Sequence, residues 1–182
     1  LADKVTLSRI LAVPVIYWFL QNPTQTGCFL AMLTFILACL TDTVDGMIAR
    51  KMGMVSNFGK FLDPLADKIL ISSVLIMLAA LGWIPDWVSI LIIAREFVVT
   101  GLRAMAVEQG VVLAADKFGK IKTILQSVAL GPLLLHHPLF GVDWTVPGMW
   151  ILYAALAMTL FSGGNYLCNF YRNWVQTENN GS

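Results

Sequence analysis

Apolar residues fall into six runs, at about residues 7–21, 27–49, 61–82, 86–107, 119–135 and 146–170. Each is near the ~20 residues that carry a helix across the hydrocarbon of a bilayer. The intervals carry turn chemistry: Gln21-Asn22-Pro23-Thr24, then Gly82-Trp83-Ile84-Pro85-Asp86, Gly110, and His137-Pro138-Leu139-Phe140-Gly141. Inside the fifth run, Gly131-Pro132 is expected to end or kink the helix. The pattern predicts an all-α integral membrane protein, a bundle of six transmembrane helices. Asp3-Lys4-Val5-Thr6-Leu7-Ser8-Arg9 reads either as the start of the first span or as a short helix lying at the interface. There is no internal repeat and no low-complexity tract, so residues 1–175 are expected to form one membrane domain and 176–182 a flexible tail. Both chain ends are set aside as evidence of function, since the sequence opens without Met.

Composition agrees. The chain is 58% hydrophobic and only 13% charged, with a mean hydropathy of +0.75, far from the average of soluble domains. Net charge is +1 with no block of like charges, which argues against nucleic acid as a partner. Cys28, Cys39 and Cys168 form no C-x-x-C pair and read as packing residues. Basic residues are distributed unevenly: Lys4 and Arg9 precede the first span, Arg50, Lys51 and Lys60 flank the second connection, Arg103, Lys117, Lys120 and Lys122 the fourth, and Arg172 follows the last. The other connections hold no Lys or Arg, so both termini and both basic connections are expected in the cytoplasm. Trp18, Trp83, Trp87, Trp144 and Trp150 fall near span ends, as interfacial aromatics do.

Against this background one polar string stands out. Between the second and third runs the chain reads D-x2-D-G-x2-A-R-x8-G-x3-D-x3-D, from Asp42 to Asp67. A carboxylate at membrane depth costs roughly 2.5–3.5 kcal/mol on insertion scales, so several together require a compensating charge. Asp42 and Asp45 are i, i+3 on a helix; Asp63 and Asp67 are i, i+4. Two antiparallel spans joined by a short connection should bring both pairs to the cytoplasmic end, where they suit two hard divalent cations, Mg²⁺ or Mn²⁺. Arg50 can hold a phosphate bidentately, and Gly46 and Gly59 allow close approach to backbone. Asp67 is a candidate general base. Each residue also has a plainer reading: Asp63 before Pro64 as a helix N-cap, the glycines as helix-packing positions, Asp42 or Asp45 paired with Arg50 or Lys68. Together those readings leave too many carboxylates without partners. His136 and His137 lie at the far side and are poor ligand candidates.

With no mismatch at its defining positions, the string resembles the signature of the CDP-alcohol phosphotransferase family of integral membrane enzymes. The resemblance implies transfer of a substituted phosphate from a CDP-linked donor to an alcohol with release of CMP. It implies two divalent cations held by Asp42, Asp45, Asp63 and Asp67, with Asp67 as base. Gly46 and Arg50, with Gly59, fall in the implied CDP-diacylglycerol site, and Thr6 and Ser56 are further nucleotide-contact candidates. Ile93-Ala94-Arg95-Glu96-Phe97-Val98-Val99-Thr100-Gly101-Leu102-Arg103 and Gly119-Lys120-Ile121-Lys122-Thr123-Ile124-Leu125-Gln126 are similar to the bacterial phosphatidylglycerophosphate synthase branch of that family, although Asp3 stands where that branch leads one to expect Asn. The implied acceptor is sn-glycerol 3-phosphate, and the implied setting is the bacterial inner membrane, as a homodimer.

An acceptor carrying about two negative charges needs its own cations. Arg95, Arg103, Lys120 and Lys122 are the candidates for its phosphate. Lys120 and Lys122 could instead meet anionic headgroups or set topology, and Arg95 could pair with Glu96. Two other readings stay open: the same fold with inositol phosphate, serine or phosphatidylglycerol as acceptor, and a divalent-cation transporter. The transporter would need a water path to both faces, whereas the charges gather at one end.

Overall fold

The computed structural model describes residues 2–51, 57–108, 117–139 and 141–180, with side chains described over 8–41, 65–105, 121–139, 141–168 and at 172. These residues form six helices: α1 (Ala2–Leu20), α2 (Gln25–Lys51), α3 (Asn57–Ala80), α4 (Asp86–Glu108), α5 (Lys117–Leu135) and α6 (Thr145–Asn180). Among the described residues there is no strand, only an isolated bridge between Leu139 and Val142 in the turn before α6. Each apolar run falls on one helix, with only residue 21 of the first and residues 81–82 of the third lying past the helix end. The leading segment is no separate element, because α1 is continuous from Ala2.

One expectation is corrected. Helix α5 runs through Gly131 and Pro132 to Leu135 rather than breaking there. Pro132 has no N–H to donate to Val128 O, and the helix continues past it with that one bond missing. The break comes at His136, a non-glycine residue with φ of 49°.

Helix ends follow local chemistry. After α3, Trp83 N donates to Leu78 O (2.9 Å) and Gly82 N to Ala79 O (2.8 Å), with Gly82 at φ 71°. That pair of bonds closes a helix with a left-handed residue, where glycine has no Cβ penalty. Thr24 Oγ1 accepts from Gly27 N at 3.1 Å and caps α2. Asp143 accepts from Thr145 N (2.9 Å) and Thr145 Oγ1 (2.5 Å) at the start of α6, and these bonds hold its carboxyl below the usual range.

The buried stripes recur at helical spacing: Ala66, Leu70, Val74 and Leu78 on α3, and Ala12, Ile16 and Leu20 on α1. Helix α1 packs on α2 and α3, α5 packs on α2, α3 and α6, and α4 packs on α3 and α6. Among the described residues α2 and α3 do not pack on each other; α1 and α5 each contact both. Outward faces are apolar too. Leu37, Ile76, Ile90, Phe97, Ile124 and Trp150 are all more than half exposed, a surface suited to a nonpolar solvent rather than water.

By length and apolarity, one described segment, Thr145–Cys168, suffices to cross a membrane, while Ser8–Leu20, Gln25–Thr41 and Ile121–Leu135 are apolar but shorter. In α3 and α4, Asp67 and Lys68, and Arg95 and Glu96, interrupt the apolar runs part-way along continuous helices.

Those interruptions coincide in space. Along α5 the buried face changes from Leu133 and Leu130 to Gln126 and Lys122, and along α6 from Leu152 and Ala155 to Thr159 and Ser162. The interior is therefore hydrocarbon at one end and polar at the other.

Candidate active site

At the polar end, Asp67, Lys68, Glu96, Arg103, Lys122 and Gln126 line a cavity of about 190 Å³, with Ile71 and Ile92 contributing apolar wall. The helices α3, α4 and α5 bring these groups together from positions far apart in the chain. Lys122 is almost fully buried, and its Nζ donates to Glu96 Oε1. The same carboxylate oxygen accepts from Arg95 Nη1 at 3.1 Å. Arg95 also donates through Nη2 to Ser162 Oγ on α6, at 2.9 Å. A buried ammonium is costly unless it is paired and hydrogen-bonded, and Glu96 meets that requirement for two cations at once.

The rest of the wall is similarly tied. Lys68 Nζ donates to Thr100 Oγ1, and that hydroxyl donates to Glu96 O at 2.6 Å. Gln126 Nε2 donates to Thr159 Oγ1 at 3.2 Å, joining α5 to α6. The guanidinium of Arg103 lies 6.0 Å from the ring centroid of Tyr166, whose buried hydroxyl has no hydrogen-bond partner among the described residues. Gly163 makes room for close approach: a Cβ there would stand 3.0 Å from Arg95 Cγ and 3.1 Å from Arg95 Nε.

Of the candidate residues, Asp67, Arg103 and Lys122 meet at this cavity, and Arg95 stands one step back, joined to it through Glu96. The pairing of Arg95 with Glu96, raised as an alternative to a phosphate role, is present. Helix α2 carries Asp42, Asp45, Gly46 and Arg50; α3 carries Gly59 and Asp63; α1 carries Thr6 and α5 Lys120. Side chains at those positions, and all of Ser56, lie outside the described residues. The continuous helices keep the i, i+3 and i, i+4 relations of the aspartates.

Sequence reasoning passed over several members. Lys68 stood out only as a salt-bridge partner and Glu96 only as a counter-ion, while Thr100, Gln126, Thr159, Ser162 and Gly163 carried no motif. The available signal is polarity inside an apolar run: Ser162-Gly163-Gly164 breaks the apolar run of the longest described helix. Arg9 was read as a flanking topology charge, but it is among the largest fully buried side chains.

Chemically, four cations (Lys68, Arg95, Arg103 and Lys122) face two carboxylates (Asp67 and Glu96) at an otherwise apolar bundle's polar end. This balance favours an anion, and Asp67 supplies a basic oxygen beside it.

Comparison with known proteins agrees with this chemistry. A family model described as CDP-alcohol phosphatidyltransferase matches residues 1–161. The CDP-diacylglycerol--glycerol-3-phosphate 3-phosphatidyltransferase of Bacillus subtilis is 42% identical, with 98% of each chain aligned. A protein of the same name from Rickettsia felis is 38% identical over 91% of this chain and 92% of its own. The aspartate string, the all-helical fold and the match over most of the chain together make this protein a member of the CDP-alcohol phosphatidyltransferase family.

Proposed function

We propose that this transferase moves the phosphatidyl group of CDP-diacylglycerol to sn-glycerol 3-phosphate, giving phosphatidylglycerophosphate and CMP. The observation that carries the reading is the meeting of Asp67 with Lys68, Arg103 and Lys122 on one cavity: a base beside a set of cations suited to a phosphorylated alcohol. The names of the similar proteins support the choice of donor and acceptor.

In this reaction the 1-hydroxyl oxygen of the acceptor bonds to the β-phosphorus. The bond from that phosphorus to the bridging pyrophosphate oxygen breaks, and CMP departs with that oxygen. Asp67 takes the hydroxyl proton. Lys122 and Arg103 hold the acceptor phosphate, with Arg95 behind them and Lys120 as a further candidate; Arg50, with Gly46, Gly59, Ser56 and Thr6, serves the CDP moiety. Asp42, Asp45, Asp63 and Asp67 would hold two divalent cations, Mg²⁺ or Mn²⁺. Their oxygen donors on two continuous helices suit hard cations, and Asp67 opens on the polar cavity. When bound, such cations neutralise pyrophosphate charge and polarise its oxygens.

The setting we propose is a six-span bundle in the bacterial inner membrane, formed by a single domain over 1–175, with cavity and termini cytoplasmic and the protein a homodimer. The apolar outer faces and the one-ended polarity support it. In such a bundle the diacylglycerol tails stay in lipid while the headgroup reaches the cavity.

The test is CMP release from CDP-diacylglycerol in mixed micelles containing Mg²⁺, with an acceptor panel. Glycerol 3-phosphate should support turnover and inositol phosphate should not. Equal rates with both would reject the acceptor assignment.

A further inference from the structure

Glu96 lines the cavity and uses one carboxylate oxygen to satisfy both Arg95 and Lys122. Its side chain retains only 15% exposure, Lys122 6% and Arg95 10%, so water offers these charges little alternative. Lys122 lines the cavity and is a group that a phosphate there would seek, while Arg95 stands one step back on the same carboxylate. An incoming anion therefore meets cations already engaged by a tethered carboxylate, whose effective concentration beside them is high. A neutral alcohol gains nothing by displacing a carboxylate from an ammonium and a guanidinium. A phosphate dianion does gain, because it brings three acceptor oxygens and roughly twice the charge to the same donors.

We propose that Glu96 is an internal competitor for the acceptor's anion, holding Arg95 and Lys122 in the empty cavity and yielding them to a dianionic phosphate, so that the site admits phosphorylated alcohols and turns away uncharged ones. The inference rests on the glycerol 3-phosphate reading above and extends it to specificity. It gives Glu96 a repulsive role: selectivity comes from what the acceptor must displace as well as from what it touches. The bracket around Arg95 fits this exchange. Ser162 Oγ on α6 accepts from the guanidinium, and Gly163 leaves room for the side chain behind it, so Arg95 stays in place when Glu96 releases it.

The experiment uses inorganic phosphate as probe, with affinity read by titration calorimetry on the full-length protein in detergent, independently of turnover. Glu96→Gln keeps the shape and one acceptor oxygen but removes the competing charge. It should bind phosphate about five- to tenfold more tightly than the native protein, the effect of deleting one like charge in a partly screened site. It should also lower the inhibition constant of phosphate against CMP release. Glu96→Asp retains the charge and should show no such tightening. If Glu96→Gln binds phosphate equally or more weakly, Glu96 merely orders the cations and the proposal is overturned. A second measurement needs no variant. With ¹³C-labelled glutamate, of which the chain has Glu96, Glu108 and Glu178, infrared difference spectra on adding phosphate to native protein should show a carboxylate shift. An unchanged glutamate band overturns the proposal as well. Failure of native protein to use glycerol 3-phosphate would instead reject the functional reading, whatever phosphate binding shows.

Discussion

Asp67 is where the aspartate string and the cation cluster meet: the last acid of the motif lines the cavity, and its sequence neighbour Lys68 joins the cations there. Replacing Asp67 with Asn keeps the shape but removes the base. CMP release should fall by about a hundredfold or more, in the range typical of lost acid–base catalysis, while binding of CDP-diacylglycerol is largely retained. Retained turnover would remove Asp67 from that role. Gly163 gives a subtler case. An added methyl would press on the Arg95 side chain, so Gly163→Ala should raise the KM for glycerol 3-phosphate by about three- to tenfold, the loss of one hydrogen bond, and leave the KM for CDP-diacylglycerol unchanged. Steady-state kinetics with each substrate varied in turn would show it. The chemistry-bearing types at Asp67, Arg103 and Lys122 were legible in the sequence because charge inside an apolar run is conspicuous. The partner shared by Arg95 and Lys122 was not, because the pairing of Glu96 with Lys122 joins α4 to α5 across 26 positions and depends on how those helices pack.

Among the elements, each helix was legible as an apolar run, and most boundaries moved by only a few residues. Helix α4 spans Asp86–Glu108 where the pattern indicated 86–107. The larger departures have physical causes. Helix α6 continues to Asn180, past the apolar run that ended near 170, because helix formation needs backbone bonds rather than apolar side chains. Helix α5 passes Pro132 with only the bond from that position to Val128 O forfeited. The turn after α3 and the end of α5 are locked together by Trp83 and His136, whose rings stack at 3.8 Å and 2°. Burial holds the His136 imidazole below its ordinary pKa, with His137 adding to the depression and Asp143 opposing it. The unfolded chain therefore takes up this proton more readily than the folded one. Stability from the neutral stack is complete above the ordinary histidine pKa and is lost as pH falls through the lower folded value. The thermal midpoint of the detergent-solubilised protein should drop across that acid window, and His136→Gln should flatten the dependence. An unchanged slope in the variant would assign the effect to other groups.

The molecule as a whole pairs an apolar exterior with an interior that turns polar at one end, where α3, α4, α5 and α6 each contribute a charged or hydroxylic residue. For the function proposed above, that arrangement would let a lipid-linked pyrophosphate and a soluble phosphorylated alcohol meet without either crossing hydrocarbon. The order of apolar runs made the helical architecture legible from the sequence, but the placement of α1 and α5 against both α2 and α3 was not, because helix adjacency leaves no trace in a hydropathy pattern. The most direct measurement of the chemistry follows one oxygen. Glycerol 3-phosphate labelled with ¹⁸O at its 1-hydroxyl should deliver the label entirely to the lipid product, with unlabelled CMP, as attack by that hydroxyl on the β-phosphorus requires. Label in the CMP, or a lipid product free of it, would contradict that attack.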